Sequence, residues 1–149
     1  MYHNIIKHKI KSNFKALSEG NYTALLDTVH DNVEHQFLGD SPIGGKRISK
    51  EKLTRWFERV YRLFPVLKFN IKNIFVSGMP WNTKVAIEWE ADVTPAIGDQ
   101  YINTGVHIIN IRWGNAVKIA AYENADLVAQ ACKFMCDNGI EEASADQIN

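Results

Sequence analysis

Hydrophobic spacing changes period at Pro65, and no other feature limits the architecture as much. Upstream of it, apolar residues recur every three or four positions, as a helix requires. Ile6, Ile10, Phe14 and Leu17 make one stripe, with Lys7, Lys11 and Lys15 on other faces. Leu53, Trp56, Phe57, Val60 and Phe64 make another, with Arg55, Arg59 and Arg62 on the wet side. Gly20 ends the first helix, because glycine accepts the left-handed conformation after a helix. Asn21 is placed to cap a short second helix carrying Leu25, Leu26 and Val29, and Ser49 to cap the third. Between them Val33 to Leu38 alternates like a strand, and Gly39 to Gly45 (GDSPIGG) is turn chemistry.

Pro65 stops the third helix. Beyond it, Val66 to Gly78, Lys84 to Thr94, Tyr101 to Trp113 and Val117 to Tyr122 are rich in Ile, Val, Trp and Tyr, the residues of strands. Their connections are short, so neighbouring strands run antiparallel. Asn124 or Asp126 begins a last helix with Leu127, Val128, Ala131, Cys132 and Met135, and Gly139 ends it. The small, polar tail 141–149 is expected to fray. Helices early and strands late predict an α+β fold with an antiparallel sheet, in one domain over 1–149. Such a sheet curls around helices on one face and leaves a pocket between them.

Composition excludes several classes. Seventeen basic and 17 acidic side chains cancel, which gives no electrostatic reason to expect nucleic acid or a membrane surface. Two cysteines, Cys132 and Cys136, are too few for a disulfide framework and read as small buried thiols. Free thiols suit a cytoplasmic setting. Met1 to Phe14 lacks the apolar run of a secretory signal, and no stretch approaches the roughly 20 apolar residues of a membrane span. There is no HExxH, GxSxG, Gly-rich phosphate loop or zinc spacing, so neither a metal nor a cofactor is expected.

Candidate chemistry gathers on the last hairpin. A two-residue turn at Trp113-Gly114 sets His107 opposite Ala120, and one at Gly114-Asn115 sets it opposite Tyr122. Both put His107 and Tyr122 on one face with Asn103, Gly105, Ile109 and Ile111, leaving Val106, Ile108, Val117 and Ile119 on the other. An Asn, a His and a Tyr among apolar residues match a ligand pocket, or a hydrogen-bonded pair in a core or dimer interface. Glu88, Glu90 and Asp92 share one strand face and read as a solvated row. Whether Trp89 or Glu90 lies beside His107 depends on the turn through 95–99. His35, flanked by Val33 and Phe37, is a second candidate base. His3, His8 and His30 read as surface residues.

The run GDQYINTGVHIINIRWGNAVKIAAYENADLVAQA resembles the C-terminal half of SnoaL-like proteins, of the nuclear transport factor 2-like superfamily that includes ketosteroid isomerases and polyketide cyclases. Gly98, Tyr101, Asn103, Gly114 and Tyr122 fill the places of its motifs. FLGDSPIGGKRISKEKLTRWFERVYRLFP resembles the family's first strand, Gly-rich loop and third helix. The resemblance implies a conical barrel: a strongly curved antiparallel sheet wrapped around three N-terminal helices, with a C-terminal helix. It also implies an apolar cavity and a homodimer formed through the outer sheet face. The family's Glu-Tyr-x-Asp reads Ala121-Tyr122-Glu123-Asn124 here, and Asn124 cannot act as a base.

The expected function is therefore a small-molecule cavity protein, taking an apolar or aromatic ligand with a carbonyl or hydroxyl. In an enzymatic version, His107 or His35 removes a proton next to the carbonyl. Tyr122, Tyr61 or Asn103 then steadies the oxyanion, giving isomerisation or cyclisation without a cofactor. His35, Trp56, Tyr61 and Trp89 are the expected ligand contacts. The alternative is a non-catalytic binding or dimerisation module whose cavity is closed by Trp56, Phe57, Tyr61 and Trp89. Hydrolysis by an activated water would need Glu88, Glu90 or Asp92 to point inward.

Overall fold

Each apolar stripe becomes a buried seam in the computed structural model, which describes residues 1–149. The helices are α1 (Tyr2–Ser18), α2 (Tyr22–Leu26), α3 (Lys50–Leu63) and α4 (Ala125–Asp137). The strands are β1 (Val29–Phe37), β2 (Gly45–Ile48), β3 (Val66–Met79), β4 (Asn82–Thr94), β5 (Tyr101–Arg112) and β6 (Asn115–Glu123). They form one curved sheet in the order β2-β1-β6-β5-β4-β3, antiparallel throughout except where β1 meets β6 in parallel. Its inner face closes on the N-terminal helices. Ile6, Ile10, Phe14 and Leu17 of α1 and Leu53, Trp56, Phe57 and Val60 of α3 supply the helical half of the core.

The helix ends follow local chemistry. Asn21 accepts from the Ala24 amide, Ser49 from Lys52 and Asn124 from Asp126, so each satisfies a donor that the helix leaves free. Leu63 is the last residue of α3, two positions before Pro65.

Val29 opens β1 rather than lying in the second helix, and three larger features differ from the sequence reading. First, the residues after the Gly-rich loop form the edge strand β2, which pairs antiparallel with β1. Its four residues, Gly-Lys-Arg-Ile, are too short and too basic to show an alternation. Second, the tail is not frayed. Glu141–Ser144 makes a 3-10 turn, and Ile148 is buried in the core.

Third, β6 carries a one-residue bulge. The turn at Trp113-Gly114 pairs Arg112 with Asn115 and Ile111 with Ala116, but Asn110 then meets Lys118, leaving Val117 without a partner. His107 consequently sits opposite Ala121 rather than Ala120 or Tyr122. Tyr122 pairs with Val106 and points outward, 46% exposed, while Ile119 turns inward. An extra residue shifts the register by one, and a shift of one exchanges the two faces of a strand. The shared face of His107 and Tyr122 is thereby corrected, as is the outward position of Ile119.

The tail is held by a buried cation. The β1–β2 register sets Arg47 opposite His35. Arg47 is only 1% exposed and has no carboxylate partner. Its Nε donates to Ile148 O (2.7 Å), one Nη to Gly44 O (2.7 Å) and the other to His35 Nδ1. The guanidinium lies 5.6 Å from the centroid of the Trp56 ring. Glu142 adds a bidentate pair with Arg62, at 2.7 Å for both bonds, and Arg59 bonds Asp146 O. Replacing Arg47 with Met would strand the Ile148 and Gly44 carbonyls and the His35 nitrogen. At about 1–3 kcal/mol for an unmade buried bond, with some relief by water, the loss should total roughly 3 kcal/mol. A urea melt would measure it, and carboxypeptidase should trim Arg47→Met from its C-terminus while leaving the parent protein intact.

Candidate functional site

The inner face encloses a chamber of about 110 Å³. Its walls are mostly apolar and aromatic: Phe14 meets Phe69 edge to face, and Phe69 meets Trp89 in the same way. Three polar side chains, His35, Asn103 and His107, reach this lining, as do the phenol rings of Tyr61 and Tyr101. A volume of this order matches one small ring, since an engineered cavity of about 150 Å³ takes benzene.

The β4–β5 register settles which face of β4 is inside. Ile87 pairs with His107 and Trp89 with Gly105, so Trp89 faces inward. Glu88, Glu90 and Asp92 face outward, where Asn73 donates to Glu88 and Lys72 lies near Glu90. No carboxylate of that row reaches the chamber. Gly105 makes room for the indole: a Cβ there would stand 2.6 Å from Trp89 Cζ2 and 2.6 Å from Tyr122 O. Trp89 Nε1 donates to His107 Nδ1 at 2.7 Å. An indole N–H can only donate, so His107 Nδ1 is an acceptor and the ring proton sits on Nε2. Burial pushes the imidazole pKa down to about 4, which keeps it neutral near pH 7. His107 therefore offers the chamber an N–H donor rather than a base.

His35 repeats the arrangement. Arg47 donates to its Nδ1, which again places the proton on Nε2. Burial, then the charges of Arg47 and His107, hold its pKa well below the usual histidine value. Neither Nε2 has a hydrogen-bond partner in the chain. Two neutral imidazoles, each held at Nδ1, thus line one apolar space with an unpartnered Nε2–H.

The other expected contacts are mostly occupied. Trp56 Nε1 donates to Ile43 O (2.7 Å) and the Tyr61 hydroxyl to Leu17 O (2.6 Å), and burial pushes the Tyr61 pKa up to about 12. Both present ring surface to the chamber but no free donor. Asn103 Oδ1 accepts from Thr104 N and Asn124 N, so this side chain ties β5 to the start of α4. Tyr122 lies outside the chamber.

Sequence reasoning passed over Glu123. The bulge turns it inward opposite Gly105, diagonally across from His107. It is 8% exposed, and neither carboxylate oxygen has a hydrogen-bond partner. Burial raises its pKa to about 7. It stands beside the chamber rather than in its lining, and its charge acts on Tyr101, which does line it. Burial, Cys132 and Glu123 together raise the Tyr101 pKa, so its hydroxyl is neutral. A buried carboxyl that titrates near neutrality is suited to exchanging protons. No group of three or more His, Cys, Asp and Glu is placed to hold a metal.

A family model described as a SnoaL-like domain matches residues 10–121. None of the curated proteins matches the chain by sequence. Among solved structures, a nuclear transport factor 2-like protein of unknown function from Burkholderia pseudomallei superposes with a TM-score of 0.75 at 12% identity, over 84% of this chain and 95% of that one. TerC, crystallised with polyporic acid, gives 0.71 at 14% identity, over 82% and 93%. A nuclear transport factor 2-like protein from Burkholderia thailandensis gives 0.69 at 19% identity, over 83% and 94%. At these identities the likeness is one of fold.

Two measurements follow from this geometry. The unfolded chain protonates its histidines near 6.5, while folded His107 stays neutral down to about 4, so stability should fall as pH drops through that window. Glu123 works in the opposite direction. The folded state keeps its proton to about 7 and the unfolded chain releases it near 4.5, so stability should fall as pH rises between them. Because buried His35 is held neutral as well, the two histidines outweigh Glu123 on the acid side, and melting temperatures from pH 4 to 8 should form a dome. Glu123→Gln should gain on the parent protein from about pH 5 to 7 and level off above that, and His107→Phe should flatten the acid limb. Independently, Gly105→Ala should cost roughly 1–3 kcal/mol by overpacking against Trp89 and the Tyr122 carbonyl, read from a denaturant midpoint.

Proposed function

The chain belongs to the SnoaL-like domain family, and from that premise we propose that it binds a compact apolar or aromatic carbonyl compound and moves a proton next to the carbonyl without a cofactor. The observation that carries this reading is the orphan carboxyl of Glu123, on the same inner face as the free N–H of His107. TerC, of the same fold, was crystallised with polyporic acid, which supports an aromatic or quinonoid class of ligand.

The roles follow from the protonation states. The ligand carbonyl accepts from Nε2–H of His107 and of His35. The proton on the adjacent carbon leaves to the Glu123 carboxylate, whose side chain turns from beside the chamber to meet the ligand. The C–H electron pair becomes the enolate π bond, and the negative charge settles on the oxygen between the two imidazoles. Neutral donors suit this task, since the proton of His107 is not released at working pH and its hydrogen bonds strengthen as the oxygen becomes anionic. Arg47 sits behind His35 and polarises that ring toward the ligand. Return of the proton to a different carbon gives isomerisation. Attack of the enolate carbon on a second carbonyl gives cyclisation.

A non-catalytic binding module is the second reading. The small chamber favours it, because small-molecule sites usually run to roughly 300–1,000 Å³. In either reading the outer face around Val106, Ile108 and Tyr122 is the surface for a second copy of the chain.

Exchange of the carbon-bound proton for deuterium separates the two readings without knowledge of the product. In heavy water, small aryl ketones and hydroxyquinones followed by NMR should lose that signal faster with the protein than with buffer. Glu123→Gln should slow the exchange about 100-fold or more, the range of a positioned general base, while the ligand's thermal shift persists. The rate should rise as pH passes through about 7 and the Glu123 carboxylate forms. Thermal shifts without exchange would establish the binding module. An unchanged rate in Glu123→Gln would remove the assigned base.

A further inference from the structure

Net neutrality conceals a segregation of charge. Residues 1–18, 75–87 and 107–122 contain no Asp or Glu and seven Lys or Arg, so all 17 acidic residues lie elsewhere. The start of the first stretch and the turns of the other two meet at one end of the molecule, while Lys15 lies toward the far end of α1 and Lys118 pairs with Glu34. His3 Nε2 donates to Gly78 O at 2.8 Å, and the Tyr2 hydroxyl bonds Thr83, which fixes the start of α1 on the β3–β4 turn. The Trp113 amide donates to Pro80 O at 2.7 Å, which fixes the β5–β6 turn on the same place. The result is a tip built of two turns and a helix start. Trp81 is 54% exposed and Trp113 72%, with ring centroids 6.2 Å apart. Met79 and Met1 stand exposed beside them, and Lys84 and Arg112 flank the pair on the adjoining strands.

Trp113 is held there against its own preference. It takes φ +50° in the two-residue turn with Gly114. Such turns use Asn, Asp or Gly at that position, and a bulky side chain in the left-handed region is an outlier. Apart from the neighbouring Trp81 no aromatic ring stacks on it, and folding would be easier with Asn. Retained strain of this kind points to a use outside the fold.

We propose that this tip docks on an anionic membrane surface, with Trp81 and Trp113 set at the boundary of headgroups and acyl chains and the basic side chains facing lipid charge. Indole rings favour that boundary because one edge is polar and the rest apolar. Basic side chains supply the second attraction, which a weak apolar anchor needs. Two exposed indoles on the β3–β4 and β5–β6 turns, flanked by Lys84 and Arg112, favour an anionic lipid surface, and the nearest acids, Asp27 and Asp31, lie to one side at the start of β1. No helix is long and apolar enough to cross a membrane, so the contact is peripheral.

The test uses the whole chain with vesicles of phosphatidylcholine alone and of phosphatidylcholine with phosphatidylserine. The protein should sediment with the anionic vesicles, release as salt rises, and show a blue shift of tryptophan emission. Trp56 and Trp89 are already buried, so the shift reports Trp81 and Trp113. Trp81→Ser with Trp113→Ser should abolish the binding, and Lys84→Glu with Arg112→Glu should weaken it on the order of tenfold or more. Trp113→Asn should raise the melting temperature while lowering vesicle binding, which separates docking from folding. No sedimentation with anionic vesicles, equal binding to both compositions, or full binding by the double Trp variant would each overturn the proposal.

Discussion

Lys118 cannot be left in an apolar chamber, and the bulge at Val117 is what keeps it out. A regular pairing from the Trp113-Gly114 turn would set Lys118 opposite Ile109, a buried residue of the inner face. With one extra residue Lys118 pairs with Asn110 and reaches Glu34 on the neighbouring strand at 3.3 Å. Burying an unpaired ammonium would cost several kcal/mol, far more than one disrupted ladder position. The same slip turns Ile119, Ala121 and Glu123 inward and Tyr122 outward. The identity of the buried acid is thus a consequence of where a surface lysine has to go.

Burial then decides the chemistry of what was turned inward. A histidine in water titrates near neutrality and serves as either acid or base. Here the Trp89 N–H and the Arg47 guanidinium each occupy one ring nitrogen, and desolvation removes the charged form. Both imidazoles become fixed donors. The same desolvation moves Glu123 the other way, toward a carboxyl that exchanges its proton near neutrality. One apolar environment therefore separates two roles, with hydrogen-bond donation left to the histidines and proton exchange to the acid.

Much of the fold was legible because it rests on local signals. The stripes of α1 and α3, the caps Asn21, Ser49 and Asn124, and the stop at Pro65 each depend on residues within a turn or two of one another. The inward row of Asn103, His107 and Ile109 followed from alternation along one strand. What escaped depends on distant partners. β2 is a strand only because β1 lies beside it, and the tail is ordered only because Arg47 and Arg62 reach it across the fold. The choice of Trp89 over Glu90 hung on a turn whose length the residues did not state. Glu123 was within reach, since both regular registers bury Lys118, and that conflict by itself called for a bulge.

β5 shows why the chamber's chemistry lies where it does. From its start the strand sends Tyr101, Asn103, Gly105 and His107 inward, then Ile109 and Ile111. Asn103 meets Asn124 at the start of α4 and His107 meets Trp89, while the His107 ring also packs edge to face on Phe14 of α1. The two isoleucines face α1, whose buried stripe offers no hydrogen-bond partner. In a sheet the ladder already satisfies the backbone, so an inward side chain needs only its own partners. Polar groups are therefore confined to the stretch where other side chains or a helix start can supply those partners. The Nε2–H of His107 is left over at the boundary between the polar and apolar stretches. A ligand oxygen bound there would complete the polar set and leave its carbon skeleton against the aliphatic half.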